Sequence, residues 1–247
     1  MIRDAAPAGK AAPSEIAPHR VCTRSARVWD SLRDGFNVLH CPLCVGMAER
    51  YAEDRRRAYF HCPGCDLVIA DPASHLGEAA EKAEYDRHQN DPADARYRRF
   101  LSRLATPLLG RLIRGMNGLD YGCGPGPALA LMLEEAGMRM AVYDPFYAPN
   151  PDTLARQYDF VTCTEVVEHF SSPARHWGEL TALVKPGGWL GIMTKLVISR
   201  ERFMTWHYKD DPTHVAFYSP ATFAWLGKHF GLTVERVDRD ALLMQKS

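Results

Sequence analysis

Two pairs of cysteines stand out by their spacing. Cys41-Pro-Leu-Cys44 and Cys62-Pro-Gly-Cys65 are separated by seventeen residues, and two such knuckles supply four thiolates to one tetrahedral zinc. A redox dithiol is the rival reading, but paired knuckles at this distance favour the metal. A four-thiolate site is closed, so the zinc expected on Cys41, Cys44, Cys62 and Cys65 is structural. His61, beside the second knuckle, reads as a surface residue rather than a ligand. Between the pairs, Arg50, Arg55, Arg56 and Arg57 are offset by Glu49, Glu53 and Asp54, and this run reads as a solvated loop.

A second constellation is Leu119-Asp120-Tyr121-Gly122-Cys123-Gly124-Pro125-Gly126. Glycines between a strand and a helix let the backbone turn tightly and approach a ligand, while the helix start presents free N–H groups. A glycine loop alone is equally a structural turn. Asp120 before it, Asp144 twenty-two residues after Gly122, and the lack of a P-loop Lys-Ser/Thr point to a ribose, whose two hydroxyls suit a carboxylate.

The elements that must position these residues follow from periodicity. Residues 1–37 carry Pro7, Gly9, Pro13 and Pro18 without an apolar period and read as a flexible tail. Residues 38–72 are a minidomain too small for its own core, with a short strand at Tyr59-Phe60, and it needs a metal staple. Residues 73–115 form a helical linker or lid, with apolar residues recurring at helical spacing from Tyr97 to Ile113 and Pro107 kinking or splitting it. Residues 116–247 alternate strands (119–122, 140–144, 160–164, 189–196) with helices (128–135, 174–184, 222–230) and close on runs 232–237 and 241–245 around an Arg239-Asp240 turn. This predicts an α/β domain with a mostly parallel sheet and an antiparallel edge hairpin. Across the 247 residues, 46% are hydrophobic and 24% charged, which excludes wholesale disorder. Thirty basic against thirty acidic side chains give no global field toward nucleic acid or anionic membrane. No apolar run has membrane-helix length and Met1-Ile2-Arg3-Asp4 leads into no signal-peptide core, so a cytoplasmic protein is expected.

On the LDYGCGPG loop, the VYD strand end, the YDFVTCTEVVEHF segment and the KPGGWLGIMT turn and strand, the sequence over residues 96–247 resembles the class I S-adenosylmethionine-dependent methyltransferases, a Rossmann-like fold. The CPxC pairs resemble a zinc ribbon. The resemblance implies that Gly122, Gly124 and Gly126, following Asp120, cradle the methionine part of the cofactor. It also implies that Asp144 holds its ribose and that Thr164 and Glu165 lie beside its adenine and reaction side. One departure is plain: the fifteen residues from Asp144 to Asp159, with three prolines, cannot hold the usual second helix and third strand. The helix is expected to be missing and the strand reduced to a few residues near Thr153–Ala155.

Methyl transfer from a sulfonium is an in-line displacement that needs water excluded, a nucleophile aligned and, for hydroxyl or acidic carbon acceptors, a proton removed. His169, His207 and His214 follow the fourth and fifth strands, whose carboxyl ends frame the crevice of such sheets. His214, supported by His207, is expected to face the methyl group as base or orienting residue, within an aromatic and protic stretch, Trp206 to Tyr218, that reads as a substrate wall. The alternative set is Glu165, Glu168 and His169, which resembles the ExxEH segment of ubiquinone-biosynthesis O-methyltransferases and implies a divalent cation. Tyr85 and His88 share a helical face and read as a lid. A small-molecule methyltransferase is the leading function. An RNA methyltransferase, kept open by the basic run Arg96, Arg98, Arg99, Arg103, Arg111 and Arg114, and a non-catalytic S-adenosylmethionine-binding docking module are the alternatives.

Overall fold

The computed structural model describes residues 38–87 and 90–247; the tail expected over 1–37 and the lid residue His88 lie outside the described residues. The chain enters through an antiparallel meander of β1 (Val38–His40), β2 (Met47–Glu53), β3 (Ala58–His61) and β4 (Val68–Ala70). The two Cys-Pro-x-Cys turns close alike: Cys41 N donates to Gly46 O (2.7 Å) and Val45 N to Cys41 O (2.9 Å), while Cys62 N donates to Leu67 O (2.9 Å) and Asp66 N to Cys62 O (2.7 Å). After each second cysteine the backbone turns left-handed, with φ of 64° at Val45 and 60° at Asp66.

Helix α1 (Glu78–Tyr85) and helix α2 (Ala95–Leu109) follow. The first helix ends at Tyr85 and the second begins at Ala95, so the expected helical linker is not split at Pro107. Asp94 starts α2 by accepting the Arg96 amide (2.8 Å), and Pro107 lies only two residues from the end, where one lost ladder bond matters little. Leu101, Leu104, Ala105 and Leu108 are its buried stripe.

The main sheet is built from β5 (Asn117–Tyr121), β6 (Arg139–Tyr143), β7 (Tyr158–Thr164), β8 (Val184–Met193), β10 (Leu232–Arg236) and β11 (Ala241–Lys246), in the order β10-β11-β8-β7-β5-β6. The four strands from β8 to β6 are parallel, and the β10–β11 hairpin adds antiparallel to β8. Helices α3 (Ala128–Glu135), α4 (Pro173–Leu183) and α6 (Pro220–Phe230) complete the domain, with a short α5 (Arg200–Met204) beside the lid segment. Leu101, Leu104 and Leu108 pack with Leu129, Leu133, Phe160, Met193 and Leu243 in one core layer; Trp177, Leu180, Phe223 and Leu226 pack with Leu119, Val161 and Ile192 in the other. No second helix stands between β6 and β7, as expected. The reduced third strand is instead a 3-10 turn over Pro151–Ala155, capped by Asn150 (side chain to Asp152 N, 3.1 Å), because Pro151 fixes a turn where a strand would need an N–H.

The minidomain and the main domain share structure. Strand β9 (Ala216–Phe217) pairs antiparallel with β4 (Ile69 opposite Ala216, Val68 opposite Phe217). Leu43, Phe60, Leu67 and Ile69 belong to the same apolar cluster as Trp177 and Tyr218. The basic run on and after α2 is partly neutralised by the main domain: Arg98 pairs with Glu135, Arg103 with Asp240 (2.7 Å) and Arg111 with Glu235 (2.7 Å).

Candidate active site

The parallel register brings the carboxyl ends of β5, β6 and β7 to one edge. Tyr121 lies opposite Tyr143, so Gly122 and Asp144 leave the sheet side by side, and the Gly122 amide donates to Tyr143 O (2.8 Å). The Asp144 carboxylate accepts the amides of Gly124 (3.0 Å), Phe146 (2.9 Å) and Tyr147 (3.1 Å) and is buried. It therefore fixes the glycine loop to the end of β6: Oδ1 accepts both the Phe146 and Tyr147 amides, while Oδ2, which accepts the Gly124 amide alone, keeps a lone pair for a ligand hydroxyl. At Gly122, φ is +77° and a Cβ would lie 2.4 Å from Val166 Cγ2; at Gly126 a Cβ would lie 1.9 Å from Asn90 O. Glycine is required at both. Asp120, expected as a cofactor ligand, is buried below the loop and accepts from Thr162 Oγ1 (2.8 Å) across the β5–β7 pair; burial pushes its carboxyl up to about 6. Its observed contact braces the cradle from beneath.

Thr164 is half-buried at the end of β7, and Glu165 beyond it adopts φ +53° and donates its amide to Met193 O (2.8 Å). This left-handed turn swings the chain into the short 3-10 helix Val167–His169. Burial, then the neighbouring Glu168 charge, push the Glu165 carboxyl up to about 9. Its Oε1 is buried without a partner.

Opposite this turn lies the segment before β9. Tyr208, in the 3-10 turn His207–Asp210, donates its hydroxyl to Glu168 Oε1. His214 is buried and donates Nδ1–H to Tyr208 O (2.7 Å), since a carbonyl can only accept; its Nε2 is left as a lone pair. Burial, then the nearby His169, hold the His214 pKa down at about 4, so the ring is neutral at pH 7. His169 likewise directs Nδ1 to Thr213 O (3.1 Å), and its ring lies 4.8 Å from that of His214. One ligand-capable atom from each of Glu168, His169 and His214 lies within 4.8 Å of the others. Glu168 is 0% exposed, and its Oε2 has no hydrogen-bond partner. Tyr85 on α1 lies with its ring 5.1 Å from His169 and 5.8 Å from Phe146, spanning the acceptor side and the end of β6.

The structure thus joins His214 to Glu168, His169, Tyr208 and Tyr85. It does not join His214 to His207, which is exposed and hydrogen-bonded through Nε2 to Lys195 Nζ (3.3 Å); within one 3-10 turn, the inward position is taken by Tyr208. The expected aromatic substrate wall is also corrected in part. Phe217 and Tyr218 are core residues at 1% and 0% exposure, and Trp177 Nε1 donates to the Tyr218 hydroxyl (3.2 Å). Tyr208 was inside the segment singled out by sequence, but nothing in its spacing distinguished it from Trp206 or Tyr218.

The four cysteines converge as expected. Cys41 Sγ lies 3.5 Å from Cys65 Sγ and Cys44 Sγ 3.3 Å from Cys62 Sγ, with none of the four in a disulfide. One sulfur from each lies within 4.8 Å of the others, the size of a tetrahedron with metal–sulfur bonds of about 2.3 Å. His61 bonds Asp66 (2.7 Å) rather than the sulfurs.

A parallel sheet whose strand ends carry a glycine loop, a clamped acid and a buried His-Glu cluster defines a nucleotide-cofactor-type α/β domain. Residues 85–237 match the family described as a methyltransferase domain, and the chain belongs to that family. A ubiquinone biosynthesis O-methyltransferase of Aeromonas salmonicida is 29% identical over 128 residues, covering 48% of this chain and 54% of that protein. The protein of that name from Erwinia tasmaniensis is 36% identical over 73 residues, 30% of either chain. The chain therefore spans about half the length of the first of these relatives and less of the second. Among solved structures, the 1,6-didemethyltoxoflavin-N1-methyltransferase of Burkholderia thailandensis, with bound 1,6-didemethyltoxoflavin and S-adenosylhomocysteine, is 18% identical. The alignment covers 81% of this chain and all of that one, at a TM-score of 0.47. Among the described residues no helix is long and apolar enough to cross a membrane.

Proposed function

We propose that this protein is an S-adenosylmethionine-dependent methyltransferase acting on a small-molecule acceptor, with a structural zinc on Cys41, Cys44, Cys62 and Cys65. The observation that carries the reading is the common edge: the Gly122–Gly126 loop, Asp144 and the Glu168–His169–His214 cluster all stand at the carboxyl ends of β5 to β7 or pack against them. The cofactor supplies a sulfonium methyl for in-line transfer. Gly122, Gly124 and Gly126 admit its backbone-facing side, Asp144 holds the ribose by accepting a hydroxyl at the free lone pair of Oδ2, and Thr164 and Glu165 close the reaction side. Asp120 supports the loop from below. His214 Nε2 takes the proton from the acceptor, its ring oriented by Tyr208 O; His207 stands at the rim through Lys195. Tyr85 covers the site and excludes water. The pairing of Arg98, Arg103 and Arg111 with acids leaves less free charge for RNA, which supports the small-molecule reading over an RNA substrate, as does the balanced net charge.

A second reading of the acceptor side is favoured by one observation, the fully buried and unpartnered Glu168 Oε2. There Glu168, His169 and His214 would hold a divalent cation, which would supply Lewis-acid polarisation of the acceptor group. Titration calorimetry with S-adenosylhomocysteine tests the cofactor reading: micromolar or tighter binding is expected, and folded protein that binds neither it nor S-adenosylmethionine ends the methyltransferase proposal. Metal analysis of protein purified under reducing conditions is expected to give about one zinc per chain; a second, exchangeable metal lost in Glu168→Gln would select the cation reading.

A further inference from the structure

We propose that Arg57, at the tip of the β2–β3 hairpin, is a positioning residue for His214, so that the four-cysteine module is part of the acceptor-side machinery. The proposal rests on the reading of His214 as an acceptor-side group and adds how that group is held. The sequence placed Arg57 in a solvated loop. The structure corrects this: Arg57 is 8% exposed. Its Nη2 donates to Lys209 O (2.6 Å) and Asp211 O (2.7 Å), its Nη1 to Pro212 O (3.2 Å) and its Nε to the Tyr59 hydroxyl (3.0 Å). Three of these acceptors are carbonyls of the segment immediately preceding His214. Asp211 O also accepts the His214 amide (3.3 Å), and the carbonyl that orients the His214 ring belongs to Tyr208, next to Lys209. The guanidinium therefore gathers the turn that fixes both the backbone and the imidazole of His214.

The guanidinium is itself fixed within the hairpin. Asp54 Oδ1 accepts the Arg57 amide (3.1 Å) and Arg56 amide (2.8 Å), and the Asp54 amide donates to Arg57 O (3.1 Å). Asp54 Oδ2 accepts from Lys209 Nζ (2.6 Å) and the Tyr59 hydroxyl (3.0 Å). On the other flank of His214, Ala70 N of β4 donates to Val215 O (2.9 Å) and Ile69 pairs with Ala216. The module thus grips the chain on both sides of His214, through the hairpin tip before it and through β4 after it. A guanidinium serving only local charge balance has no reason to leave water, because desolvating it is costly unless its donors are satisfied. A planar fork satisfies several carbonyls in one fixed geometry, which an ammonium cannot.

The test uses the full-length, metal-loaded protein and its Arg57→Gln and Arg57→Lys variants. Four quantities are read: metal per chain, S-adenosylhomocysteine affinity, hydrogen exchange by peptide, and the imidazole ¹⁵N spectrum assigned with His214→Gln. Arg57→Gln is expected to keep its metal and to bind S-adenosylhomocysteine within about twofold of wild type, since the glycine loop is a separate site. Peptides covering residues 207–215 should exchange about tenfold faster or more while the β5–β7 strands stay protected. The His214 ring should lose its single-tautomer ¹⁵N pattern, and Arg57→Lys should restore it in part. Unchanged exchange and an unchanged His214 pattern in Arg57→Gln overturn the proposal, and so does a loss of protection across the whole chain. If Arg57→Gln does not fold, Arg57→Lys decides: wild-type behaviour there shows that the fork is not needed. Absence of S-adenosylhomocysteine binding by wild type would instead strike the methyltransferase reading, leaving the His214 spectra to answer this question separately.

Discussion

At the residue scale, the two halves of the site respond to different substitutions. Asp144→Ala removes a carboxylate that clamps three amides and, on the proposed reading, holds the ribose. Hydrogen bonds to a charged group contribute about 1.5 to 3 kcal/mol, so calorimetry should find S-adenosylhomocysteine bound roughly ten- to a hundredfold more weakly, or more weakly still if the loop opens. His214→Ala should leave that affinity nearly intact and lower turnover by about 10² to 10⁴, the range for a lost general base. Acceptor-screening assays with labelled cofactor would measure it. His214→Gln should retain more if orientation is the larger part of the role. A His214→Ala variant with wild-type turnover would move the chemistry to Glu165, Glu168 and His169.

At the element scale, the β2–β3 hairpin is held to the lid segment by a pair whose charge matters to stability. Burial pushes the Asp54 carboxyl up, but the Lys209 ammonium, the Arg56 and Arg57 amides and the Tyr59 hydroxyl outweigh it and hold it well below the ordinary carboxylate range. A depressed carboxyl contributes stability that is complete above its unfolded value, near 4, and is lost as pH falls through that value toward the folded one. Wild type should therefore lose more stability between pH 5 and pH 2.5 than Asp54→Asn. At neutral pH the variant should be weaker by on the order of 1 to 2 kcal/mol, discounted for the carboxylate's partial exposure. Urea unfolding across pH measures both, and parallel pH profiles for the two proteins would show that the pair contributes nothing. The knuckles give a second expectation. Cys62→Ser removes one of four converging sulfurs, so the variant should lose the proposed zinc, and near-ultraviolet circular dichroism should report looser packing around Tyr59 and Phe217, which share a cluster with β4.

At the scale of the whole molecule, the small module and the large domain are one structure, since β9 completes the sheet of the first and the core of the second extends under Leu67 and Ile69. If Cys41, Cys44, Cys62 and Cys65 hold the proposed zinc, chelating it from the intact protein should therefore not simply melt a peripheral knob. It should cut methyl transfer while S-adenosylhomocysteine binding at the glycine loop persists, and readdition of the proposed zinc should restore both activity and protection of residues 207–217. Loss of cofactor binding at the same chelator concentration would mean that the domain unfolds as a unit instead.

Much of this was legible in the sequence because it is local. Each knuckle needs only Cys-Pro-x-Cys and its own turn, the cradle needs glycines where Gly122 and Gly126 leave no room for a Cβ, and the alternation of strands and helices announces a parallel sheet through its period. Even the missing second helix follows from counting fifteen residues and three prolines, although the few residues left there form a 3-10 turn and not the expected short strand. Other features were decided only by the tertiary structure, because they join residues far apart in the chain. Burial of Arg57 depends on carbonyls of Lys209, Asp211 and Pro212, and no property of the hairpin distinguishes it from Arg55 or Arg56 until those carbonyls arrive. The choice of Tyr208 over His207 at the site depends on which side of a 3-10 turn faces Glu168. The hydrogen bond that Asp120 accepts from Thr162 was not legible either, because β5 and β7 pair in a register that periodicity does not specify. Local steric and conformational demands are written in adjacent residues, whereas the satisfaction of buried charges and hydrogen bonds is settled only when the elements pack.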